Sequence, residues 1–162
     1  MKETITLRPI TDHDHEFLLR LYGSTREDEL KQVPWTAEQK DSFVRQQFAA
    51  QHAWWTEHYS GASFDVVLAD GEPMGRLYVD RWETEIRIVD VAVVPEWRGR
   101  GIGERLIRAV FAEADAAGKQ VSIHVEQYNR ARRLYERLGF EYRDGAAGVY
   151  LLMVREPQGV HV

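Results

Sequence analysis

The chain has 162 residues, of which 44% are hydrophobic and none is cysteine, and it carries a formal net charge of −5 at pH 7. This size predicts one domain with a sizeable core, and the acidic balance argues against broad nucleic-acid binding, which requires a basic surface. The missing thiols exclude disulfides, thiolate metal sites and a cysteine acyl-enzyme, while short apolar runs and a polar N-terminus predict a cytoplasmic protein without membrane contact.

The first part of the chain predicts a strand, a helix and a loop. Residues 4–8 alternate in polarity as a strand does, and Thr11 or Asp12 can cap the helix that follows. Gly23 is expected to end this helix. Residues 24–35 have no clear period and are interpreted as a loop or a broken helix.

A second, longer helix is predicted from a capping box in which Thr36 stands three residues before Gln39. It should extend to about Tyr59. Residues that follow one helical face predict its buried side: Val44, Phe48, Trp55 and Tyr59. Gln47, Trp54 and His58 lie to one side of this face. His52, Trp54 and His58 are either partly buried or the wall of an acceptor pocket.

The rest of the chain alternates strands with two further helices. Six strands are predicted, at 64–69, 74–79, 85–94, 121–125, 140–143 and 149–154. The first two form a hairpin across Asp70 and Gly71. One helix ends at Gly118, and its buried stripe is Leu106, Ile107, Val110, Ala114 and Ala117. Asn129 can cap a shorter helix that ends at Gly139.

The element order is therefore β-α-α-β-β-β-α-β-α-β-β. This order predicts an α/β (mixed α+β) fold, with a central mixed sheet and helices on both faces. No repeat or linker divides the chain, so we expect a single domain over residues 1–156 and a loose tail over 157–162.

The stretch 91–103 carries the strongest functional signal. An apolar, β-branched run stops at Pro95, enters a turn rich in glycine and arginine, and continues into a helix. Glycines 99, 101 and 103 let successive N–H groups converge beside a helix N-terminus, an arrangement that binds phosphates. The spacing matches neither a dinucleotide-binding G-x-G-x-x-G nor a P-loop.

The segment Arg98-x-x-Gly101-x-Gly103 resembles the acyl-coenzyme A signature of the GNAT family of N-acetyltransferases. The Leu-Tyr-Glu-Arg-Leu-Gly-Phe sequence within 129–140 resembles a later motif of the same family, in the same order along the chain. The resemblance covers nearly the whole chain. It implies the GNAT acyl-CoA N-acyltransferase fold, acetyl-CoA as co-substrate, and direct acetyl transfer to a primary amine through a ternary complex.

The resemblance also places the coenzyme. The pyrophosphate would be bound by the N–H groups of the residues that we call the glycine cradle: Gly99, Arg100, Gly101, Ile102 and Gly103. Arg98 or Arg100 would add charge-assisted contacts. In this family the preceding strand separates from its neighbour, so the backbone of Val91, Ala92 and Val93 would face the pantetheine arm.

Tyr135 is implied to be the proton donor, since it matches the tyrosine of the later motif. A phenol with a pKa of about 10 can supply a proton to a departing thiolate as charge develops on sulfur. Asn129 is implied to contact the coenzyme, although it stands six residues before this tyrosine whereas related sequences usually have seven.

The general base stays open between several residues. In histone-modifying relatives a glutamate of the long strand accepts the amine proton, but here that position is Arg87. The candidates are Glu85, Asp90, His124, Glu126 or water alone. Asp90 is unusual because it shares an alternating face with apolar residues, so it must be paired, face a cleft or be redirected by a bulge.

Two functions from different classes follow from these motifs. The first is an acetyl-CoA-dependent N-acetyltransferase acting on a small-molecule or protein amine, and the second is a non-catalytic acyl-CoA-binding or assembly module on the same fold. No metal site is expected, because the side chains of His13 and His15 diverge at a helix start. A homodimer is compatible with the family resemblance, and neither a nucleic acid nor a membrane is expected as a partner.

Overall fold

A computed structural model describes residues 3–127, 129–143 and 150–159. The helices and strands occur in the predicted order: β1 (Ile5–Pro9), α1 (His15–Lys31), α2 (Ala37–His58), β2 (Ser63–Ala69), β3 (Glu72–Arg81), β4 (Glu85–Val93), α3 (Ile102–Ala117), β5 (Gln120–Glu126), α4 (Arg132–Arg137), β6 (Glu141–Arg143) and β7 (Tyr150–Arg155). Short 3₁₀ turns precede α1 and α3. The predicted α/β class and element order are confirmed.

The boundary predicted for the first helix is wrong, because α1 continues through Gly23 to Lys31. Glycine inside a helix costs about 1 kcal/mol relative to alanine. Here it allows close packing, since a Cβ on Gly23 would lie 3.4 Å from Cγ1 of Val44 on α2. Leu21 and Tyr22 are buried immediately before it. Tertiary packing therefore outweighs the local helix-ending signal.

The predicted start of α2 is confirmed. The Thr36 hydroxyl accepts a hydrogen bond from the Gln39 N–H at 3.1 Å, and the Gln39 side chain accepts one from the Thr36 N–H at 2.9 Å. Of the predicted buried face, Phe48 is buried and Trp55 is partly buried. Tyr59, which was expected in the core, is partly buried and faces a cavity instead.

Seven strands form one sheet in the order β1-β2-β3-β4-β5-β7-β6. All neighbours are antiparallel except β4 and β5, which are parallel. The predicted hairpin between β2 and β3 turns through Asp70 and Gly71, with φ values of 49° and 86°. Positive φ at both central residues is the requirement of a type I′ turn, which explains the Asp-Gly pair.

The main core lies between the sheet and α3. Four of the five residues predicted for the buried stripe of α3 are buried, and Ala117 in its last turn is exposed. The helix ends where Gly118 adopts a φ of 67°, as predicted for a glycine after a helix. A smaller cluster joins α1 to α2 through Leu18, Leu19, Tyr22 and Phe48.

Two irregularities of β4 position the site. Tyr78 pairs with Asp90 while the next residue, Val79, pairs with Ile88, so β4 carries one extra residue, Val89. A β-bulge of this kind bends the strand and changes the face on which later side chains lie. In addition, the pairing of β4 with β5 stops at Ile88 and Ile123, so the two strands separate beyond that level.

Some expectations concern residues outside the described part of the chain. The predicted strand at 149–154 begins at Tyr150 among the described residues, and Val160–Val162 are not described.

Asn129 does not cap α4, because the N-cap is Ala131. Among the described residues, no helix is both long and apolar enough to span a membrane.

Candidate functional site

A central cavity of about 610 Å³ lies where β4 and β5 separate. Side chains of α1, α2, β4, β5 and β7 surround it, together with Tyr135 of α4 and Asn129. The separation of two parallel strands leaves backbone groups without ladder partners, which a bound molecule can use. The cavity therefore combines unpaired strand backbone on one side with helical side chains on the other.

The glycine cradle lies at the N-terminus of α3. Gly99 and Gly101 both have a φ of 76°, a conformation that residues with a Cβ rarely adopt. The first hydrogen bond of α3 joins the Arg105 N–H to the Gly101 carbonyl at 3.1 Å. The N–H groups of Ile102 and Gly103 thus precede the helical ladder and are available, with the helix dipole, to an anionic group.

The two arginines predicted beside the cradle are placed differently. The Arg98 guanidinium donates to the Val93 carbonyl and to the Ser24 hydroxyl, both at 3.0 Å, so it ties α1 to the end of β4. Arg100 lies over the Trp97 ring at 4.5 Å and is exposed. Of the two, Arg100 is the side chain whose charged group is free to turn toward a phosphate.

Of the three residues predicted to contact a pantetheine arm, Val91 and Val93 differ from Ala92 in the direction of their backbone groups. The Val94 N–H donates to the Met74 carbonyl on β3 at 2.9 Å. Because alternate residues of an antiparallel strand direct their backbone groups to opposite sides, those of Val91 and Val93 point away from β3, toward the gap beside β5. The Ala92 groups face β3, so this residue contributes to the sheet.

Asp90 is paired, faces the cavity and follows the bulge, so all three explanations of its position hold together. Its carboxylate accepts a hydrogen bond from Nε of Arg76 at 2.5 Å. The Arg76 guanidinium lies between the rings of Trp55 and Tyr78, at 5.1 and 5.2 Å, and the residue is only 3% exposed. A buried arginine thus fixes a carboxylate at the cavity wall.

Tyr135 lines the cavity and is 5% exposed. Its ring packs edge-on against Phe140 at 5.8 Å. Burial, followed by the negative charge of Asp90, raises the pKa of Tyr135 well above its usual value. The phenol is therefore protonated throughout the physiological pH range and can donate a hydrogen bond into the cavity.

Arg87 is the centre of a buried network that joins two of the predicted base candidates. Its guanidinium donates to the Ser122 hydroxyl at 2.7 Å, to the Tyr59 hydroxyl at 3.2 Å and to Glu85 at 3.3 Å. A further contact of 3.2 Å joins it to Nδ1 of His124. Since arginine has no acceptor, this ring nitrogen must be the acceptor.

The environment makes Glu85 and His124 poor bases. Burial alone would raise the pKa of Glu85, but hydrogen bonds from Ser122 and Gln120 outweigh it and hold that pKa below its usual range. Burial, followed by the charge of Arg87, lowers the pKa of His124. The imidazole is neutral at pH 7, and its Nδ1 lone pair is already occupied by Arg87.

The two remaining predicted residues, Asn129 and Glu126, both line the cavity. The Asn129 side chain accepts a hydrogen bond from the Ala131 N–H at 2.8 Å, so it shapes the turn before α4. Glu126 stands at the end of β5, opposite Tyr150 of β7. Of the possible pocket residues on α2, Trp54 lines the cavity, and His58 stacks on it with ring centroids 4.0 Å apart.

Sequence reasoning missed two arginines that shape this site. The place of Arg76 among apolar residues of β3 was the available signal, and the register puts it opposite Ala92, two residues from Asp90. Arg26 of α1 lines the cavity but lies in a stretch that was interpreted as a loop. In residues 3–127, 129–143 and 150–159, no group of three or more histidine, cysteine, aspartate or glutamate side chains could hold a metal ion.

The sequence matches the model of a family described as acetyltransferase (GNAT) family, over residues 24–140. Mycothiol acetyltransferase of Nocardiopsis dassonvillei is 40% identical over 98 residues, 59% of this chain and 25% of that protein. Thialysine N-epsilon-acetyltransferase of Bos taurus is 33% identical over 105 residues, 57% of this chain and 62% of that protein. The chain thus spans about a quarter of the first relative's length and less than two thirds of the second's.

The fold is also found among solved structures. The PaiA N-acetyltransferase of Thermoplasma acidophilum, in complex with coenzyme A, superposes with a TM-score of 0.70 at 17% sequence identity. The superposition covers 94% of this chain and 99% of that one. At this identity the likeness concerns the fold.

Proposed function

Since the chain belongs to the GNAT family of acetyltransferases, we propose that it transfers an acetyl group from acetyl-CoA directly to a primary amine within a ternary complex. The observation that carries the proposal is the continuity of one site. Val91 and Tyr135 line the same cavity, and β4 continues from Val91 through Val93 to the turn that forms the glycine cradle.

The donor half of the site suits coenzyme A. The N–H groups at the N-terminus of α3 would bind the pyrophosphate, and the backbone of Val91 and Val93 would pair with the amides of the pantetheine arm. The Val91 N–H points into the gap beside β5 and would also stabilise negative charge on the thioester oxygen. These roles use backbone, which explains why the cradle depends on glycine.

The transfer forms an N–C bond, breaks the C–S bond and moves one proton from the amine to sulfur. Tyr135 would donate a hydrogen bond to the departing thiolate. Full transfer from the phenol to a thiolate with a pKa near 8.5 is uphill, because burial raises the pKa of Tyr135 further. The proton that finally resides on sulfur is therefore the amine's own, relayed through water or through the phenol.

The base that removes this proton is proposed to be water, because Glu85, Asp90 and His124 each have another hydrogen-bonding partner; Glu126, which lines the cavity at the end of β5, is the alternative. Glu85 is held by Ser122, Gln120 and Arg87, and the Nδ1 of His124 is held by Arg87. Asp90 is paired with Arg76 and is proposed to attract the amine toward Tyr135 through its charge.

Release of coenzyme thiol from acetyl-CoA across a panel of primary amines tests the proposal. We expect at least one amine to accelerate release well above the rate with water alone, with formation of the acetylated amine. Tight coenzyme binding by calorimetry, without acceleration by any amine, would instead establish the non-catalytic binding module.

Two further statements belong to the same proposal. A cytoplasmic location rests on composition, and a homodimer rests on the family resemblance. Gel filtration with light scattering measures the second directly, and a monomer at micromolar concentration would remove it.

A further inference from the structure

Two oppositely charged residues of β4 line the central cavity at different positions along the strand. On β4, Arg87 and Asp90 lie three residues apart, about 10 Å along the strand. They share one face because the bulge at Val89 lies between them. Asp90 is close enough to Tyr135 for its negative charge to raise the pKa of that phenol, whereas Arg87 lies earlier in the strand, and Arg26 and Glu126 also line the cavity.

The Arg87 end presents hydrogen-bond donors to the cavity. We call Arg87, Tyr59 and His124 the donor cluster, and all three line the cavity. The Tyr59 hydroxyl accepts from Arg87 at 3.2 Å, so its own O–H is left to donate. The His124 Nδ1 also accepts from Arg87, so the proton of the neutral ring resides on Nε2, which donates.

The acceptor groups of this network are directed inward. The Glu85 carboxylate accepts from Ser122, Gln120 and Arg87, and it does not line the cavity. Its negative charge balances Arg87 within the wall. The surface that a ligand meets at this end is therefore a set of donors held in place by a buried cation.

We propose that the amine acceptor carries a carboxylate several bonds away from its amine, and that the donor cluster binds this carboxylate. This inference rests on the proposed function, because the amine must lie near Tyr135. A molecule with an amine at one end and a carboxylate at the other would place the amine near Asp90 and Tyr135 and the carboxylate against the donor cluster. A simple alkylamine or a diamine would make no charge-assisted hydrogen bond with the donors at the Arg87 end, so it should bind more weakly.

The test uses two amines of equal chain length, 5-aminopentanoate and pentylamine, which differ in the carboxylate. Hydrogen bonds to a charged group make us expect kcat/KM for 5-aminopentanoate to be at least about tenfold higher. Tyr59→Phe should reduce this ratio by about fivefold or more, since it removes one donor and keeps the ring that stacks on Trp82. Tyr142→Phe, which removes an exposed hydroxyl outside the cavity, should leave the ratio unchanged.

The outcomes separate this inference from the proposed function. Thiol release with both amines at equal efficiency, or a ratio that Tyr59→Phe leaves intact, overturns the carboxylate-binding role and leaves acetyl transfer standing. Release with neither amine, nor with any other amine of the panel, overturns both. Calorimetry with 5-aminopentanoate and pentylamine on the coenzyme A complex gives a readout independent of turnover, and equal affinities would also contradict the inference.

Discussion

The glycine cradle and the donor cluster are proposed to bind the coenzyme and the acceptor, yet they are built from different kinds of structure. The cradle is the backbone of five consecutive residues, Gly99 to Gly103, at the start of α3. The donor cluster consists of side chains from β4, β5 and the end of α2, joined by one buried guanidinium. A contiguous backbone site tolerates changes of nearby side chains, whereas a side-chain network depends on each partner.

This difference predicts that the cradle fails through backbone conformation and charge. Gly101→Glu should weaken coenzyme A binding by about a thousandfold or more, because it places a carboxylate beside the proposed position of the pyrophosphate at a residue with a φ of 76°. Titration calorimetry measures the affinity.

The matched control is Gly118→Glu at the other end of the same helix. Gly118 also has a positive φ, 67°, and open space around its Cβ. This variant should lose stability to a similar extent and keep its affinity for coenzyme A. Equal loss of binding in both variants would mean that helix stability, rather than the cradle, controls affinity.

Tyr135→Phe tests the residue that lies between the two ends. The phenyl ring retains the packing against Phe140, while the hydrogen bond to the departing thiolate is lost. We expect kcat to fall by about a hundredfold with little change in coenzyme affinity. Single-turnover thiol release measures the effect. An unchanged rate constant would remove Tyr135 from the mechanism.

The Arg76–Asp90 pair tests how strongly the side-chain half of the site depends on single partners. Arg76→Met leaves the Asp90 carboxylate without its buried partner and should lower the free energy of unfolding by about 2 kcal/mol or more. The cost should be below that of a fully buried pair, because the Asp90 side chain is 26% exposed. Urea unfolding measures the difference.

Arg81→Met is the control for this experiment. Arg81 pairs with Glu113 at the surface, where the two side chains are 42% and 43% exposed. Its loss should cost less than about 1 kcal/mol. If both variants had the same free energy of unfolding, the Arg76–Asp90 pair would stabilise the fold no more than a surface ion pair does. Arg76→Met combined with Asp90→Asn should recover part of the loss, since no buried charge then remains unpaired.

The smallest expected effect concerns the protonation of His124. Burial and the charge of Arg87 lower its pKa below 6.5, so the folded protein resists protonation at this residue more than the unfolded chain does. Stability from this residue is fully present above pH 6.5 and declines as the pH falls below that value. His124→Gln should reduce the difference in unfolding free energy between pH 7.5 and pH 5.5. A wild-type titration midpoint above 6.5 by NMR would contradict the proposed environment.

The difference between a contiguous backbone site and a network of side chains also explains which features could be predicted from the sequence. The cradle, the capping box at Thr36 and the Asp70-Gly71 turn each depend on residues that are close in sequence, so their spacing contains the information. The continuation of α1 through Gly23 depends on Val44 of another helix, and no local pattern records that contact. Sequence patterns therefore predicted the features whose interacting residues are close together in the chain.

The side-chain end of the site lay beyond this kind of reasoning for the same reason. Asp90 was recognised as unusual, but the bulge at Val89 and the pairing with Arg76 require the register of β3 and β4. His124 was a reasonable base until its contact with Arg87 was placed, 37 residues away in the sequence. The kinds of side chain at this end of the site could be predicted from the sequence, while their hydrogen-bond partners could not.

Direct acetyl transfer in a ternary complex is the central claim, and rapid-quench mass spectrometry tests it most directly. The protein would be mixed with acetyl-CoA alone and, separately, with acetyl-CoA and an accepted amine. The masses of the protein and of the amine would then be measured over time. We expect the protein mass to stay unchanged and the acetylated amine to accumulate in step with free thiol. An acetylated protein formed before amine is added, or thiol release without acetylated amine, would contradict the account.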